Sequence, residues 1–464
     1  MMQPRQALRG GDRSLAVIGA GYVGLPTAAA LASFGHRVVC AESNAERYET
    51  LRRGEIPIVE PGLAEMIKEV VNAGRLRFVK SASEAVNGAE FVFLCVPTPQ
   101  CSDGSADLSF IKDVALEIAN HLQPQAIVVN KSTVPVGSAM LVEKTIGRSD
   151  IRVVSNPEFL REGSAVRDSL NPDRVVVGAD DHEAAARVGE LFSQTGSPVI
   201  VTDTTTSETI KYASNAFLAT KLSFVNSIAV FCEAVGADVR DVILGLGYDK
   251  RIGFEFLRPG PGWGGSCLPK DTKALLHISE MAGYDFALLR GAIYTNDQQL
   301  EWMVAKANSA LGGKVGGSSI GVWGLTFKAN TDDRRNSPAL DIVNRLLEMG
   351  ADIKAYDPTV LAERMVPTAP TANGADGLDR EPDRPAGRAG PKDLAGITVC
   401  EDPYEAATGT SLLLVLTEWD AFRWLDFTRV HDLMKVPSIV DARNLLDPTA
   451  LRRIGFLYTG VGRR

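Results

Sequence analysis

Residues 14–42 read SLAVIGAGYVGLPTAAALASFGHRVVCAE, and this stretch decides the fold. Ser14–Ile18 is a short apolar run ending at a glycine, the pattern of a buried strand. The loop Gly19-Ala20-Gly21-Tyr22-Val23-Gly24 follows, then an Ala-rich segment to about Phe34 that reads as a helix and stops at Gly35. Arg37–Ala41 predicts a second strand that closes on Glu42. In this order the glycines make a tight turn and let a pyrophosphate approach the helix N-terminus, while the acid bonds a ribose diol. Strand before, helix after and an acid at the next strand end together specify dinucleotide binding, which the glycines alone do not. An acid at position 42 favours NAD over NADP, because a 2′-phosphate would be repelled.

The alternation continues downstream. Phe91–Val96 predicts a strand ending in Pro97-Thr98-Pro99, and Ala126–Asn130 another ending in Lys131-Ser132-Thr133. Val153–Val154 leads into Asn156-Pro157-Glu158-Phe159-Leu160-Arg161-Glu162, where two carboxylates and an arginine follow a strand end. Ligands of open parallel sheets collect at such carboxyl ends, although an exposed loop of ordinary charge reads the same way. Thr205 to about Val235 predicts a long helix with Ser207 and Glu208 in its first turn. It carries Lys211 and Asn215 on one face among apolar neighbours, where a lysine is costly unless it has a task or snorkels to water. Helices are expected at Asp241–Leu246, Thr272–Met281 and about Phe286 to Leu311.

Between those helices lies Gly264-Gly265-Ser266-Cys267-Leu268-Pro269-Lys270-Asp271, after a glycine-rich loop. Pro269 suits the first turn of a helix, which puts the Cys267 thiol at a helix N-terminus, where thiolate is favoured. Asp271 lies one turn on, on the same face. A lone cysteine is more often a buried structural residue, and this segment by itself leaves both readings open.

A second α/β unit is expected from Ser319. Ile320–Leu325 reads as a strand, Thr326–Ser337 as a polar loop, Pro338–Met349 as a helix and Ile353–Tyr356 as a strand closing on Asp357. It echoes the first unit without the glycine fingerprint. Strands are expected again at Leu412–Leu416 and Ser438–Val440. Residues 366–396 are rich in proline and glycine, have no aromatic residue and read as a flexible insertion. The expected organisation is an N-terminal tail (1–13), a first Rossmann-like domain (14–202), a helical middle domain with the cysteine loop (203–312) and a second Rossmann-like domain (313–464).

Composition sets the class. At 464 residues, with 45% hydrophobic and 23% charged residues, the chain is expected to be a globular protein of several domains. A net charge of −8 without a long basic run argues against a nucleic-acid or anionic-membrane partner. Met1–Arg13 is polar and lacks the apolar core of a signal peptide, and Leu412–Leu416 is far too short to span a bilayer. Six scattered cysteines with no C-x-x-C pair fit a reducing cytoplasm, with neither a disulfide framework nor a metal site.

Taken together, the motifs resemble the nucleotide-sugar 6-dehydrogenases, the family of UDP-glucose and GDP-mannose dehydrogenases. The resemblance runs from about Leu15 to about Leu446 and rests on GAGYVG, VPTP, KSTVPVG, NPEFLREGSA, KYASNAFLATK, GWGGSCLPKD, GLTFKANTDDRR and TEWDAF in that order. It implies an α/β fold of two Rossmann-like doubly wound domains joined by a long central helix and a helical middle domain, with NAD as cofactor and a UDP-sugar as substrate. It further implies a homodimer or higher homo-oligomer.

The implied chemistry is oxidation of a primary alcohol to a carboxylate in two hydride transfers, through a cysteine thiohemiacetal and thioester. By the same resemblance Cys267 is the nucleophile, Lys211 stabilises the alkoxide, Asn215 helps orient it, and Asp271 positions Lys211 and a water. Glu158 and Glu162 assist proton transfer and hydrolysis, and Thr133 holds the catalytic water. For the cofactor the family pattern marks Gly19, Gly21, Tyr22, Val23, Gly24, Glu42, Arg47, Thr98, Thr133, Glu162, Lys270 and Arg335. For the substrate it marks Glu158, Phe159, Leu160, Arg161, Glu162, Lys211, Asn215, Phe256, Leu257, Arg258, Pro259, Gly260, Gly264, Lys328 and Arg443. Arg251 matches an arginine donated across a dimer interface. Glu42-Ser43-Asn44 departs from the usual Asp-x-Asp. Asn171-Pro172-Asp173-Arg174 and TEWDAF lean toward UDP-glucose. GDP-mannose, another UDP-hexose, a non-catalytic nucleotide-sugar-binding protein and a two-electron hydroxyacid dehydrogenase are the alternatives.

Overall fold

The strands that the glycine fingerprint anchors are apolar because parallel strands are covered on both faces. In the computed structural model, which describes residues 12–101, 103–360 and 391–463, eight strands form the first sheet. They are β1 (Ser14–Ile18), β2 (Arg37–Ala41), β3 (Leu76–Val79), β4 (Phe91–Leu94), β5 (Ile127–Asn130), β6 (Arg152–Ser155), β7 (Val175–Gly178) and β8 (Val199–Thr202). Their order is β3-β2-β1-β4-β5-β6-β7-β8, parallel except for a single antiparallel bridge between Ser155 and Gly178. The helix Gly24–Ser33 is buried along almost its whole length, as its alanine content requires. Ile111, Ala115 and Ile118 from one helix and Val142 and Ile146 from another pack on the sheet residues Ala16, Ile18, Val92, Leu94 and Val128.

A second sheet holds β9 (Ser319–Trp323), β10 (Asp352–Tyr356), β11 (Ile397–Val399), β12 (Leu412–Val415), β13 (Ser438–Asp441) and β14 (Leu457–Gly460), in the order β11-β10-β9-β12-β13-β14. All five pairings are parallel. Both sheets therefore contain the doubly wound order 3-2-1-4-5-6. The chain divides between Ser214 and Asn215 into two compact units, one for each sheet. The division falls inside one helix, Thr204–Val235. Among the described residues this is the helix long and apolar enough to cross a membrane by length and composition, with 33% of its apolar window buried.

Boundaries shift where the apolar pattern is blind. The helix expected from Thr272 begins at Leu268, because Pro269 and Asp271 are good first-turn residues that carry no apolar signal. The helix expected over Asp241–Leu246 extends from Val239 to Tyr248 behind an Asp238 cap. Strands β3, β7, β8, β11 and β14, each of three or four residues, add to those that the sequence pattern predicts. Of the tail expected at 1–13 and the insertion expected at 366–396, residues 1–11 and 366–390 lie outside the described residues. The end of that insertion is structured: Pro391–Leu394 forms a 3-10 turn, Leu394 packs on the second core, and Asp393 accepts from Nε of the buried Arg334 at 2.9 Å.

Asp357, at the end of β10, organises the loop expected over 326–337. One carboxylate oxygen accepts from the N–H groups of Leu325 and Thr326 and from the Trp419 indole, and the other from the N–H and hydroxyl of Thr359. Asp357, Leu325, Thr326 and Thr359 are buried, and Trp419 is half-buried. Replacing Asp357 by Ala should cost about 3 kcal/mol or more, since several buried donors lose their acceptor at once. A denaturant titration that shows less than half that loss would contradict this account of the loop.

Candidate active site

In the first unit, the ends of five strands supply the predicted residues. After β1, Gly19 takes φ +99°, and the helix starts so tightly that a Cβ on Gly24 would lie 1.8 Å from the Gly19 carbonyl oxygen. A Cβ on Gly21, by contrast, would meet nothing within 4 Å, so the backbone there is open to an incoming group. Tyr22 is buried, and Val23 occupies the residue before the helix. Glu42, at the end of β2, is 5% exposed; one oxygen accepts the Asn44 N–H at 2.9 Å and the other lies 3.8 Å from Arg47. Arg47 also donates to the Ala20 carbonyl inside the glycine loop, tying strand end to loop. After β4, the Thr98 hydroxyl donates to the Thr133 carbonyl after β5 at 2.9 Å. The open backbone at a helix N-terminus beside a buried acid fits the pyrophosphate and ribose of NAD.

The loop after β6 carries the acids. Glu158 is 3% exposed and accepts from Lys211 at 2.8 Å and from the Leu160 N–H at 2.6 Å. Burial acts most strongly on this carboxyl and pushes it up. Lys211, the Leu160 N–H and Lys131 together outweigh burial and hold it below its ordinary value. Arg161 donates to Asp168 from its backbone N–H and from Nε and Nη2 of its guanidinium, and Glu60 accepts the N–H groups of Gly163 and Ala165. Phe159 lies under the Arg174 guanidinium at 3.7 Å and 5.4 Å from the Lys211 ammonium. Glu162 is partly exposed on the same loop. Glu208, expected as a first-turn charge for its own helix, instead caps another: it accepts the N–H groups of Gly137 and Ala139 at the start of Ser138–Ile146.

In the second unit, Cys267 is the residue immediately before the helix Leu268–Met281, with its carbonyl accepting the Asp271 N–H at 2.9 Å. The Asp271 carboxylate, one turn on and 1% exposed, accepts from Asn215 and from Lys270, each at 2.6 Å. The loop before the cysteine is clamped by polar residues that sequence reading overlooked. Asn226 accepts the Gly260 N–H, Gln299 donates to the Gly260 carbonyl, and Asn296 bonds both the N–H and the carbonyl of Trp263. A polar pair at 296 and 299, three apart on one helix face, was the available signal. A Cβ on Gly264 would lie 2.0 Å from the Asn336 carbonyl oxygen, so only glycine lets this loop meet the loop after β9.

Phe256 holds φ +61°, a strained backbone for a bulky residue, in the stretch marked for substrate. Its neighbours Leu257 and Pro259 are buried, and Arg258 is exposed. Lys328 and Arg335 lie on the loop after β9, Arg335 bidentate to Asp333. Arg443, after β13, donates to the carbonyls of Leu416 and Phe327. Arg251 is 88% exposed and pairs with Asp249.

The first unit thus presents a dinucleotide cradle, the mark of a nucleotide-dependent dehydrogenase, and the second carries a cysteine immediately before a helix whose first turn holds the buried Asp271. Comparison with known proteins agrees. Residues 13–196, 205–298 and 321–448 match the NAD-binding, central and UDP-binding domains of the UDP-glucose/GDP-mannose dehydrogenase family. UDP-glucose 6-dehydrogenase TuaD of Bacillus subtilis is 42% identical, over 97% of this chain and 93% of that protein. The UDP-glucose 6-dehydrogenase of Rhizobium meliloti is also 42% identical, over 97% and 99%. Among solved structures, a UDP-glucose dehydrogenase from Pyrobaculum islandicum superposes with a TM-score of 0.86 at 34% identity, covering 100% of both chains. A UDP-D-ManNAc dehydrogenase from Pyrococcus horikoshii gives 0.80 at 26%, covering 97% of this chain and 99% of that one. The chain belongs to the UDP-glucose/GDP-mannose dehydrogenase family. It is an NAD-dependent nucleotide-sugar dehydrogenase.

The Glu158–Lys211 pair has a pH signature. The Glu158 carboxyl is held below its unperturbed 4.5, so its stabilising contribution is complete above that pH and is lost as pH falls through the lower folded value. Glu158→Gln, which leaves Lys211 buried without its carboxylate, should cost about 3–5 kcal/mol near neutrality. The stability gap between wild type and variant should narrow only below pH 4.5. A gap already closing near neutral pH in thermal unfolding would refute the depressed carboxyl.

Proposed function

We propose that the chain oxidises the C6 hydroxyl of UDP-glucose to the carboxylate of UDP-glucuronate, consuming two NAD and one water and releasing two NADH. The observation that carries this reading is Cys267 at the start of its helix with the buried Asp271 one turn on. When bound, NAD takes up the hydride in each of the two oxidations. Lys211 donates to the C6 oxygen as its proton leaves, and the aldehyde carbon that results is attacked by the Cys267 thiolate to form a thiohemiacetal. Loss of the second hydride yields a thioester. Water then cleaves the C–S bond, releasing the carboxylate and the thiol. Glu158 and Glu162 carry protons, Thr133 holds the water, and Asp271 with Asn215 keeps the polar groups of the second unit in register.

UDP-glucose is favoured among nucleotide sugars because the relatives at 41–42% identity over 97% of the chain bear that name. In the assay, each UDP-glucose should yield two NADH. Cys267→Ser should lose several orders of magnitude in turnover while NAD binding persists, because an alkoxide at neutral pH is far scarcer than a thiolate. One NADH per substrate, or near-normal turnover in that variant, would end the thioester reading.

A homodimer in the cytoplasm completes the proposal. Phe217, Phe224 and Phe231 recur every seven residues and are 67%, 52% and 60% exposed, and Tyr248 and Arg251 are also exposed. Apolar rings in such a row are covered more favourably by protein than by water. Phe224→Asp with Phe231→Asp should convert a dimer into a monomer in light scattering. A monomeric wild type would remove this part of the reading.

A further inference from the structure

The first unit contains a cavity of about 270 Å³ that the chemistry described so far does not use. Phe159, Leu160 and Arg161 line it, whereas the glycine loop, Thr133, Glu158, Glu162 and Lys211 do not. The loop after β6 therefore serves two places: Glu158 bonds Lys211, while its neighbours wall the cavity. That volume lies below the range that encloses drug-sized ligands, so an occupant is smaller than a nucleotide.

Two cations on the wall have donors to spare. The half-buried Arg174 guanidinium lies 3.7 Å from the Phe159 ring centroid and, among the described residues, makes no hydrogen bond or salt bridge; Asp173 acts on it only as a nearby charge. Lys131, 8% exposed, sits 5.4 Å from the Phe192 ring centroid and gives one N–H to Asn156 Oδ1 at 3.1 Å. Asn156 is neutral and fixed, its amide donating to the Val176 carbonyl at 2.7 Å, and Lys131 has no salt bridge among the described residues. On the same wall the Ser169 hydroxyl is buried without a hydrogen-bond partner. The other charges of the wall are settled: Arg161 and Arg167 sit on Asp168, and Asp173 is exposed.

A buried hydroxyl without a partner and cations with unspent donors are costly, and in native proteins they point to an ion or water between them. All three groups donate, so a cation or an apolar molecule would satisfy none of them, whereas an oxyanion presents several acceptor oxygens and suits the planar fork of an arginine. We propose that this cavity is a binding site for a small oxyanion of about phosphate size, held by the Arg174 guanidinium, the Lys131 ammonium and the Ser169 hydroxyl. The site lies outside the proposed oxidation and does not depend on which sugar is oxidised. Burial lowers both Arg174 and Lys131, the latter to about 8, as expected of cations kept from water without a full counter-charge.

The test is calorimetric titration of the full chain at pH 7 with inorganic phosphate and with glycerol 3-phosphate, in chloride of constant ionic strength. NADH and UDP are present at saturation, so that the nucleotide sites are filled. Wild type should bind one of the two probes with a Kd of about 1 mM or tighter. Arg174→Met and Lys131→Met should each weaken binding about tenfold or more, and Arg174→Lys should weaken it less than Arg174→Met. Tighter binding of the ester assigns the site to a phosphorylated metabolite, and tighter binding of phosphate assigns it to the free ion. No binding of either probe would overturn the proposal and leave the cavity to water. Affinity unchanged in both Met variants would overturn it too, as would binding seen only without NADH and UDP, which places the probe in the nucleotide sites. If Lys131→Met fails to fold, the half-buried Arg174 and a Ser169→Ala variant still decide.

Discussion

The buried ion pair between Lys211 and Glu158 is the constraint around which the first unit is arranged. At 2.8 Å, with side chains 4% and 3% exposed, it takes two charges out of water. Such a pair gives no net stability over two well-packed apolar residues, since desolvation cancels the attraction. Its surroundings show how the cost is met. The Leu160 N–H sits on the Glu158 carboxylate, and Glu208, one turn before Lys211, takes two N–H groups from the helix that follows the Thr133 loop. Glu60 does the same for the loop after β6. Buried carboxylates on backbone N–H groups thus hold irregular loops as firmly as regular structure would, which is what a catalytic constellation needs.

The two sheets share a strand order but treat the acid at the end of the second strand in opposite ways. Glu42 ends β2 beside a loop whose middle glycine faces open space. Asp357 ends β10 in the corresponding place, yet its carboxylate is filled by the chain's own Leu325, Thr326, Thr359 and Trp419. The same topology therefore makes a dinucleotide cradle once. In the second unit its strand ends instead present cations, Lys328 after β9 and Arg443 after β13, which suits a phosphate-bearing ligand.

Much of this was legible from sequence. The β1 and β2 strands and the long helix have residue patterns that match one template closely, and each begins or ends where expected to within a residue. The candidate carriers of the chemistry stand out locally in the sequence as glycines, a cysteine and paired acids. What could not be read were the long-range clamps. Glu60 acts on residues a hundred positions away, Asn226 and Gln299 act on Gly260, and Asp393, inside a segment whose composition denies it a core, ties that segment to Arg334. One hydrogen bond across the chain leaves no periodicity.

The helix Thr204–Val235 shows why composition alone misleads. Its 32 residues include an 18-residue window of mean hydropathy 1.4, which would suit a bilayer span. Its polar side chains, however, are among the buried ones: Ser223 and Asn226 are 3% and 2% exposed, and they hold the Trp263 indole and the Gly260 N–H of the loop that leads to Cys267. The phenylalanines at 217, 224 and 231 face outward instead. A helix that spends its polar residues on a neighbouring loop and leaves its aromatic residues outside is built from within outward by the needs of that loop. The periodic aromatic stripe is then the side left outside, so one helix supports the cysteine loop with its polar residues and exposes its apolar rings on another face.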